Sequence, residues 1–156
     1  MKAYWIAAGA LALVLSGSAG YAAMESGVSG HMLAHAGMHS AKDDRVSLQL
    51  PAGMKHEQLA NMRSHLEAIQ AITGLVVAGD FDQASRVAHL KLGMTEKMKR
   101  MCNSFKNEGF RKLGLAFHES GDVLGEVLQT RDMNKSLKAL ETTMGYCVQC
   151  HASFRQ

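Results

Sequence analysis

The clearest indication of the fold lies in residues 59–84, LANMRSHLEAIQAITGLVVAGDFDQA. One set of positions in this stretch recurs at alternating steps of three and four residues: Leu59, Met62, Leu66, Ile69, Thr73 and Val76. This spacing is typical of one face of an amphipathic helix. We therefore predict a helix from about Lys55 to Ala78, with these residues forming its buried stripe.

Gly79 and Asp80 indicate where this helix ends and the next one begins. Glycine commonly follows a helix because it adopts a left-handed backbone conformation without a steric penalty. Asp80 is a typical N-cap residue, and Gln83 stands three residues later, where a capping-box partner is expected. We therefore predict a second helix from Phe81 to near Gly93.

Similar patterns extend through the rest of the chain. An apolar stripe predicts a third helix from Glu108 to Leu128, and Asp132 is a candidate N-cap for a last helix that runs to about Arg155. The charged residues 94–107 indicate a connection with one or two helical turns. Three glycines lie inside the third helix: Gly114, Gly121 and Gly125. Each costs about 1 kcal/mol relative to alanine, which indicates close approach of another helix or of a flat ligand.

The resulting pattern is that of an all-α fold. The only proline, Pro51, precedes the first long periodic segment, so the helices after it are uninterrupted. Four helices with short connections predict an antiparallel four-helix bundle over residues 51–156. The chain has no sustained period-two run that would indicate a sheet.

The last helix carries the motif Cys147-Val148-Gln149-Cys150-His151. A C-x-x-C-H run is the attachment signature of c-type haem. On a helix, Cys147 and His151 share a face, and Cys150 lies close to both. The two thiols can form thioethers to one haem c, and His151 is placed to bind its iron. The motif thus predicts an all-α protein with one covalently bound haem.

A redox dithiol and a zinc site are two other interpretations of the cysteines, and both are less favoured than haem. A redox dithiol should open a helix after a strand, whereas this motif lies near the end of a helical pattern. A zinc site needs two further ligands, and the chain has no second C-x-x-C. The third cysteine, Cys102, has no protein partner once 147 and 150 hold haem, so we expect a buried free thiol.

The N-terminus indicates export. Lys2 precedes an apolar run from Ile6 to Leu15, and small residues follow, with a cleavage site after Ala22. We therefore predict a signal peptide over 1–22, a periplasmic location, and no stable membrane span after processing, because the run is too short. Residues 23–50 read as a flexible leader rich in His and Met. The formal net charge of +3 is too small to predict nucleic-acid binding.

The C-terminal motif in a helical chain resembles the cytochrome c′-like family of four-helix-bundle haem proteins. The matching residues are Cys147, Cys150 and His151 with the following residues 152–155, and the junction 79–84 resembles the turn between the family's first two helices. The resemblance implies that His151 is the proximal iron ligand. It also implies that Arg155, which we expect on the helical face of His151, lies near the haem.

The resemblance implies that a residue of the first helix faces the other side of the iron, opposite His151. Low-spin members of the family place a methionine there and carry electrons, whereas high-spin members leave the position open and bind nitric oxide or carbon monoxide. The family's spacing from residue 79 points to Met62 as the possible distal ligand. His65 would give ligation by two histidines instead, and Leu66 would cover an open iron.

The most favoured function is that of a one-electron carrier and not an enzyme, with a redox partner protein in the periplasm. The main alternative is a five-coordinate haem protein that binds nitric oxide or carbon monoxide. The resemblance also implies a possible homodimer. Two residue groups suggest separate metal binding: a leader stripe of His31, His35 and His39, and the soft cluster Met94, Met98, Met101 and Cys102. We expect a flexible leader and a packed helix face, respectively. His56, His89 and His118 are expected to be exposed or bonded locally.

Overall fold

The computed structural model describes residues 42–156, and residues 44–156 form one compact unit. The predicted signal peptide and the leader histidines lie outside the described residues. The described chain is mostly helical, as predicted, and none of its helices is long and apolar enough to cross a membrane. Its elements follow in this order: β1 (Val46–Ser47), α1 (Ala52–Val77), α2 (Phe81–Val87), a π-helical turn (Ala88–Leu92), α3 (Glu96–Ser104), α4 (Glu108–Gln129), α5 (Met133–Ser153) and β2 (Phe154–Arg155).

The junction between α1 and α2 is formed as predicted. Gly79 has a φ of +77°, the left-handed conformation that favours glycine. The Asp80 carboxylate accepts a hydrogen bond from the Gln83 backbone N–H at 3.1 Å. The reciprocal half of the capping box is absent, because the Asp80 N–H donates to the Leu75 carbonyl and the Gln83 side chain accepts from Arg86. A single side-chain cap therefore starts α2.

Side-chain caps also start the later helices. The Asp132 carboxylate accepts from the Lys135 N–H at 3.0 Å, which confirms the predicted N-cap of α5. Asn107 caps α4 in the same way, and Thr95 caps α3. The segment 94–107 thus contains a nine-residue helix whose start has its own cap. A cap of this kind contributes about 1 kcal/mol.

The buried face of α1 differs from the predicted stripe. Its buried residues are Gln58, His65, Ala68, Ile72 and Val76, so Val76 alone is shared with the prediction. Leu66 is 70% exposed and Leu59 is 42% exposed. The prediction was wrong because α1 has two adjacent apolar faces. One, containing Ala68 and Ile72, joins the core, while the other, containing Leu59 and Leu66, borders a cavity.

The core lies where α1, α2 and the π-helical turn pack with α4 and α5. We call its fully buried residues the packed core: Ile72, Val76, Ala84, Ala88, Leu92, Leu124 and Leu128. Two predicted close approaches occur here. A Cβ on Gly121 would lie 2.6 Å from the Leu92 backbone, and one on Gly125 would overlap the His89 ring. These glycines therefore let α4 contact the π-helical turn directly.

The C-terminus departs from the prediction that helix continues to Arg155. Helix α5 ends at Ser153, and β2 pairs in parallel with β1. The Arg155 carbonyl accepts from the Leu48 N–H at 2.9 Å, and the His151 carbonyl accepts from Arg45 Nη1 at 3.2 Å. A two-residue strand carries too little pattern to be seen in the sequence. Part of the segment predicted as leader thus contacts the end of α5.

Candidate functional site

A cavity of about 430 Å³ lies between α1, α3, α4 and α5. Its size is within the range of small-molecule and cofactor sites. Its wall is almost entirely apolar and includes side chains from all four helices and from Phe105, which follows α3; examples are Leu59, Ile69, Met101, Phe110, Leu113, Phe117 and Met144. An apolar wall of this kind suits a poorly hydrated ligand.

The three residues of the C-terminal motif all line this cavity. Cys147, Cys150 and His151 lie on the last two turns of α5, so the helix brings them to one wall. Both cysteines are half-buried free thiols, and His151 is exposed. The structure therefore places the predicted attachment residues together at the cavity.

The thiols are held in the protonated form. Burial raises the pKa of Cys147, and burial together with the neighbouring Cys147 raises the pKa of Cys150 to about 11. A dithiol that acts in redox exchange has the opposite property, because its attacking cysteine has a lowered pKa. The environment of this pair does not favour the redox-dithiol interpretation.

Helix α1 contributes the residues that were considered for the distal side. Met62, His65 and Leu66 all line the cavity. Met62 is half-buried and His65 is only 7% exposed, whereas Leu66 is largely exposed. Every candidate on α1 therefore borders the same space as the cysteine motif.

The cavity also contains a pair of imidazoles that the sequence did not single out as a pair. The His65 ring lies 4.9 Å from the Phe117 ring and 5.4 Å from the His118 ring, measured between centroids. Burial, with a smaller effect of His118, lowers the pKa of His65 to about 4. Burial also lowers the pKa of His118. Both imidazoles are consequently neutral at pH 7.

The tautomer of His118 follows from its hydrogen bond. Its Nδ1 lies 2.7 Å from the carbonyl oxygen of Leu92, the last residue of the π-helical turn. A carbonyl oxygen only accepts, so Nδ1 carries the proton and Nε2 keeps its lone pair. The sequence predicts that His118 is exposed or bonded locally, whereas it is buried and its partner Leu92 lies 26 positions away in the chain. Its burial beside His65 could not be seen from the sequence, since the two residues are distant in the chain.

Three further residues from the sequence analysis do not line the cavity: Arg155, His56 and His89. Arg155 is in β2 and is not among the cavity residues, so the prediction that it continues the helical face of His151 is wrong. His56 is exposed, and His89 Nδ1 lies 2.9 Å from Asp122, as expected of locally bonded histidines.

The soft cluster is split. Met101 and Cys102 border the cavity, and Cys102 is a buried free thiol as predicted. Met94 and Met98 are not among the cavity residues. Within residues 42–156, no group of three or more His, Cys, Asp or Glu side chains is positioned to hold a metal ion. The Met101 sulfur instead accepts a hydrogen bond from the Asn61 amide at 2.9 Å.

Comparison of the chain with protein-family models, with curated proteins and with solved structures finds no match. The function is therefore argued from the residues of the cavity.

Proposed function

We propose that this protein is a periplasmic c-type cytochrome with a single haem, and that it carries one electron. The observation that carries the proposal is the meeting of two features in one cavity. Cys147, Cys150 and His151 have the spacing required for covalent haem, and they line an apolar space that Met62 also borders. The fold proposed with this function is the antiparallel four-helix bundle of the cytochrome c′-like family.

The cavity residues fit a haem in two respects. The wall is apolar, and several large apolar side chains around it are exposed to an extent that a flat ligand would reduce: Leu59, Leu66, Met144 and Val148.

The attachment chemistry suits protonated thiols. Cys147 and Cys150 would hold a haem as thioethers, each by adding its S–H across one vinyl group with the hydrogen going to the neighbouring carbon, so no oxidant or reductant would be consumed. His151, which directly follows Cys150 on α5, would supply an imidazole nitrogen to the iron.

Bound haem supplies the Fe(II)/Fe(III) couple. A sulfur ligand from Met62 would raise the reduction potential relative to harder ligands. The apolar wall would favour the less charged ferrous state and keep water away. Ligands from both Met62 and His151 would also keep the iron site similar in both oxidation states. These properties suit an electron carrier that serves a periplasmic partner protein.

A second candidate function is supported by Leu66, which also borders the cavity from α1. If Leu66 and not Met62 covers the iron, the protein binds nitric oxide or carbon monoxide. The minor alternative of metal handling by the leader rests on residues outside the described chain. The possible homodimer likewise stays a prediction from the resemblance.

Carbon monoxide addition separates the two haem functions. The reduced protein of an electron carrier with Met62 ligation should be six-coordinate and should change its absorption spectrum little on addition of the gas. The oxidised protein should show the methionine–iron charge-transfer band and should titrate reversibly with one electron. Rapid and complete formation of a carbonyl adduct by the wild-type protein would instead establish the gas-binding function.

A further inference from the structure

His65 and Met62 lie on α1 and border the same cavity. The two residues are three positions apart, so they lie on neighbouring parts of one helical face. Both border the cavity that also contains Cys147, Cys150 and His151. A haem attached to these cysteines would therefore lie in a cavity that the Met62 and His65 side chains both border.

The His65 imidazole is available to bind a metal ion. Its imidazole is buried, and within residues 42–156 it makes ring contacts with Phe117 and His118 but no hydrogen bond. Because its pKa is lowered to about 4, the ring keeps a free nitrogen lone pair at neutral pH.

The surroundings hold the ring in place. His118 packs edge-on against His65, with an angle of 78° between the two planes. The His118 ring is itself fixed by the Leu92 carbonyl, and Leu92 is in backbone contact with α4 at Gly121. A continuous set of contacts therefore leads from the π-helical turn to the cavity wall. Such π-helical turns often occur at functional sites.

We propose that His65 is a reserve ligand for the haem iron, which binds when the Met62 sulfur is absent or displaced. This inference rests on the proposed function, because it requires the covalent haem. The exchange would keep the iron six-coordinate and closed to small molecules. Replacing a sulfur ligand by a second imidazole would lower the reduction potential, since methionine ligation raises it.

The test uses full-length protein, exported and loaded with haem, in four forms: wild type, Met62→Leu, His65→Phe and the double variant. Leucine conserves the volume of methionine, and phenylalanine conserves a ring beside Phe117, so both variants should fold. We expect Met62→Leu to lose the methionine–iron band, to remain low-spin with the electron paramagnetic resonance spectrum of two histidine ligands, and to resist carbon monoxide.

The double variant should become high-spin and bind carbon monoxide at least about tenfold more tightly than Met62→Leu, because His65 no longer competes with the gas for the iron. His65→Phe should keep the wild-type methionine band. A high-spin Met62→Leu protein that binds the gas as tightly as the double variant would overturn the reserve-ligand role. A wild type that lacks the methionine band and opens in His65→Phe alone would overturn it too, because His65 would then be the primary ligand. Failure of the wild type to hold covalent haem would contradict the proposed function instead.

Discussion

The packed core and the cavity wall differ in how far the protein's own side chains complete them. In the packed core, Ile72, Leu92 and Leu124 are fully buried, and α4 contacts the π-helical turn through glycines. Around the cavity, large apolar residues such as Leu66 and Val148 are 70% and 69% exposed. Both regions are built from the same long helices. The first region is therefore completed by protein packing alone, whereas the second leaves apolar surface that the proposed haem would cover.

The largest expected effect comes from removing the haem attachment residues. In the double variant Cys147→Ser/Cys150→Ser, we expect the end of α5 and the first half of α1 to lose protection against amide hydrogen exchange. The C-terminal half of α4 and the α2 segment should stay protected, because the residues of the packed core are not among those that line the cavity. The control Cys102→Ala keeps both attachment cysteines and should retain the wild-type pattern. Uniform loss of protection in the double variant would show that the two regions are not independent.

The next effect concerns the packed core alone. Leu124→Ala removes a fully buried side chain and should lower the free energy of unfolding by about 2–5 kcal/mol. The matched control is Leu90→Ala on the π-helical turn, where the side chain is 72% exposed and a change within about 0.5 kcal/mol is expected. Urea denaturation of the haem-loaded proteins measures both. Equal losses in the two variants would contradict the distinction between buried and exposed leucines.

The smallest effect tests the junction that leads from α1 into the packed core. Asp80→Ala removes the only side-chain cap of α2 and should cost about 1 kcal/mol in the free energy of unfolding. Asp80→Asn keeps an oxygen that can accept from the Gln83 N–H, so it should lie within a few tenths of a kcal/mol of wild type. Urea denaturation measures both variants, and an Asp80→Ala protein as stable as wild type would show that the cap does not stabilise α2.

The sequence predicted the elements of this fold better than their faces. The N-caps Asp80 and Asp132 were predicted correctly, since capping depends on residues within one turn. The buried face of α1 was not, because periodicity cannot distinguish an apolar face that joins the core from one that borders a cavity. The short strand pairing at Phe154–Arg155 depends on contact with residues more than a hundred positions away.

The candidate site shows the same limit. The motif at 147–151 could be recognised from its local spacing alone, and Met62 was predicted by counting back from the junction 79–84 with the spacing of the family. The pairing of His65 with His118 was not found, because it depends on side chains from two helices that are far apart in the chain. The hydrogen bond that fixes His118 depends in turn on the π-helical turn, which has no clear sequence signature.

We propose above that one haem attached to Cys147 and Cys150 completes the cavity. The intact mass of the exported protein after denaturation, together with the absorption spectrum of the denatured chain, tests this attachment directly. We expect a mass increased by one haem, unchanged attachment in Cys102→Ala, and no attached haem in Cys147→Ser/Cys150→Ser. A denatured wild-type chain that carries no haem and has free thiols at residues 147 and 150 would contradict it.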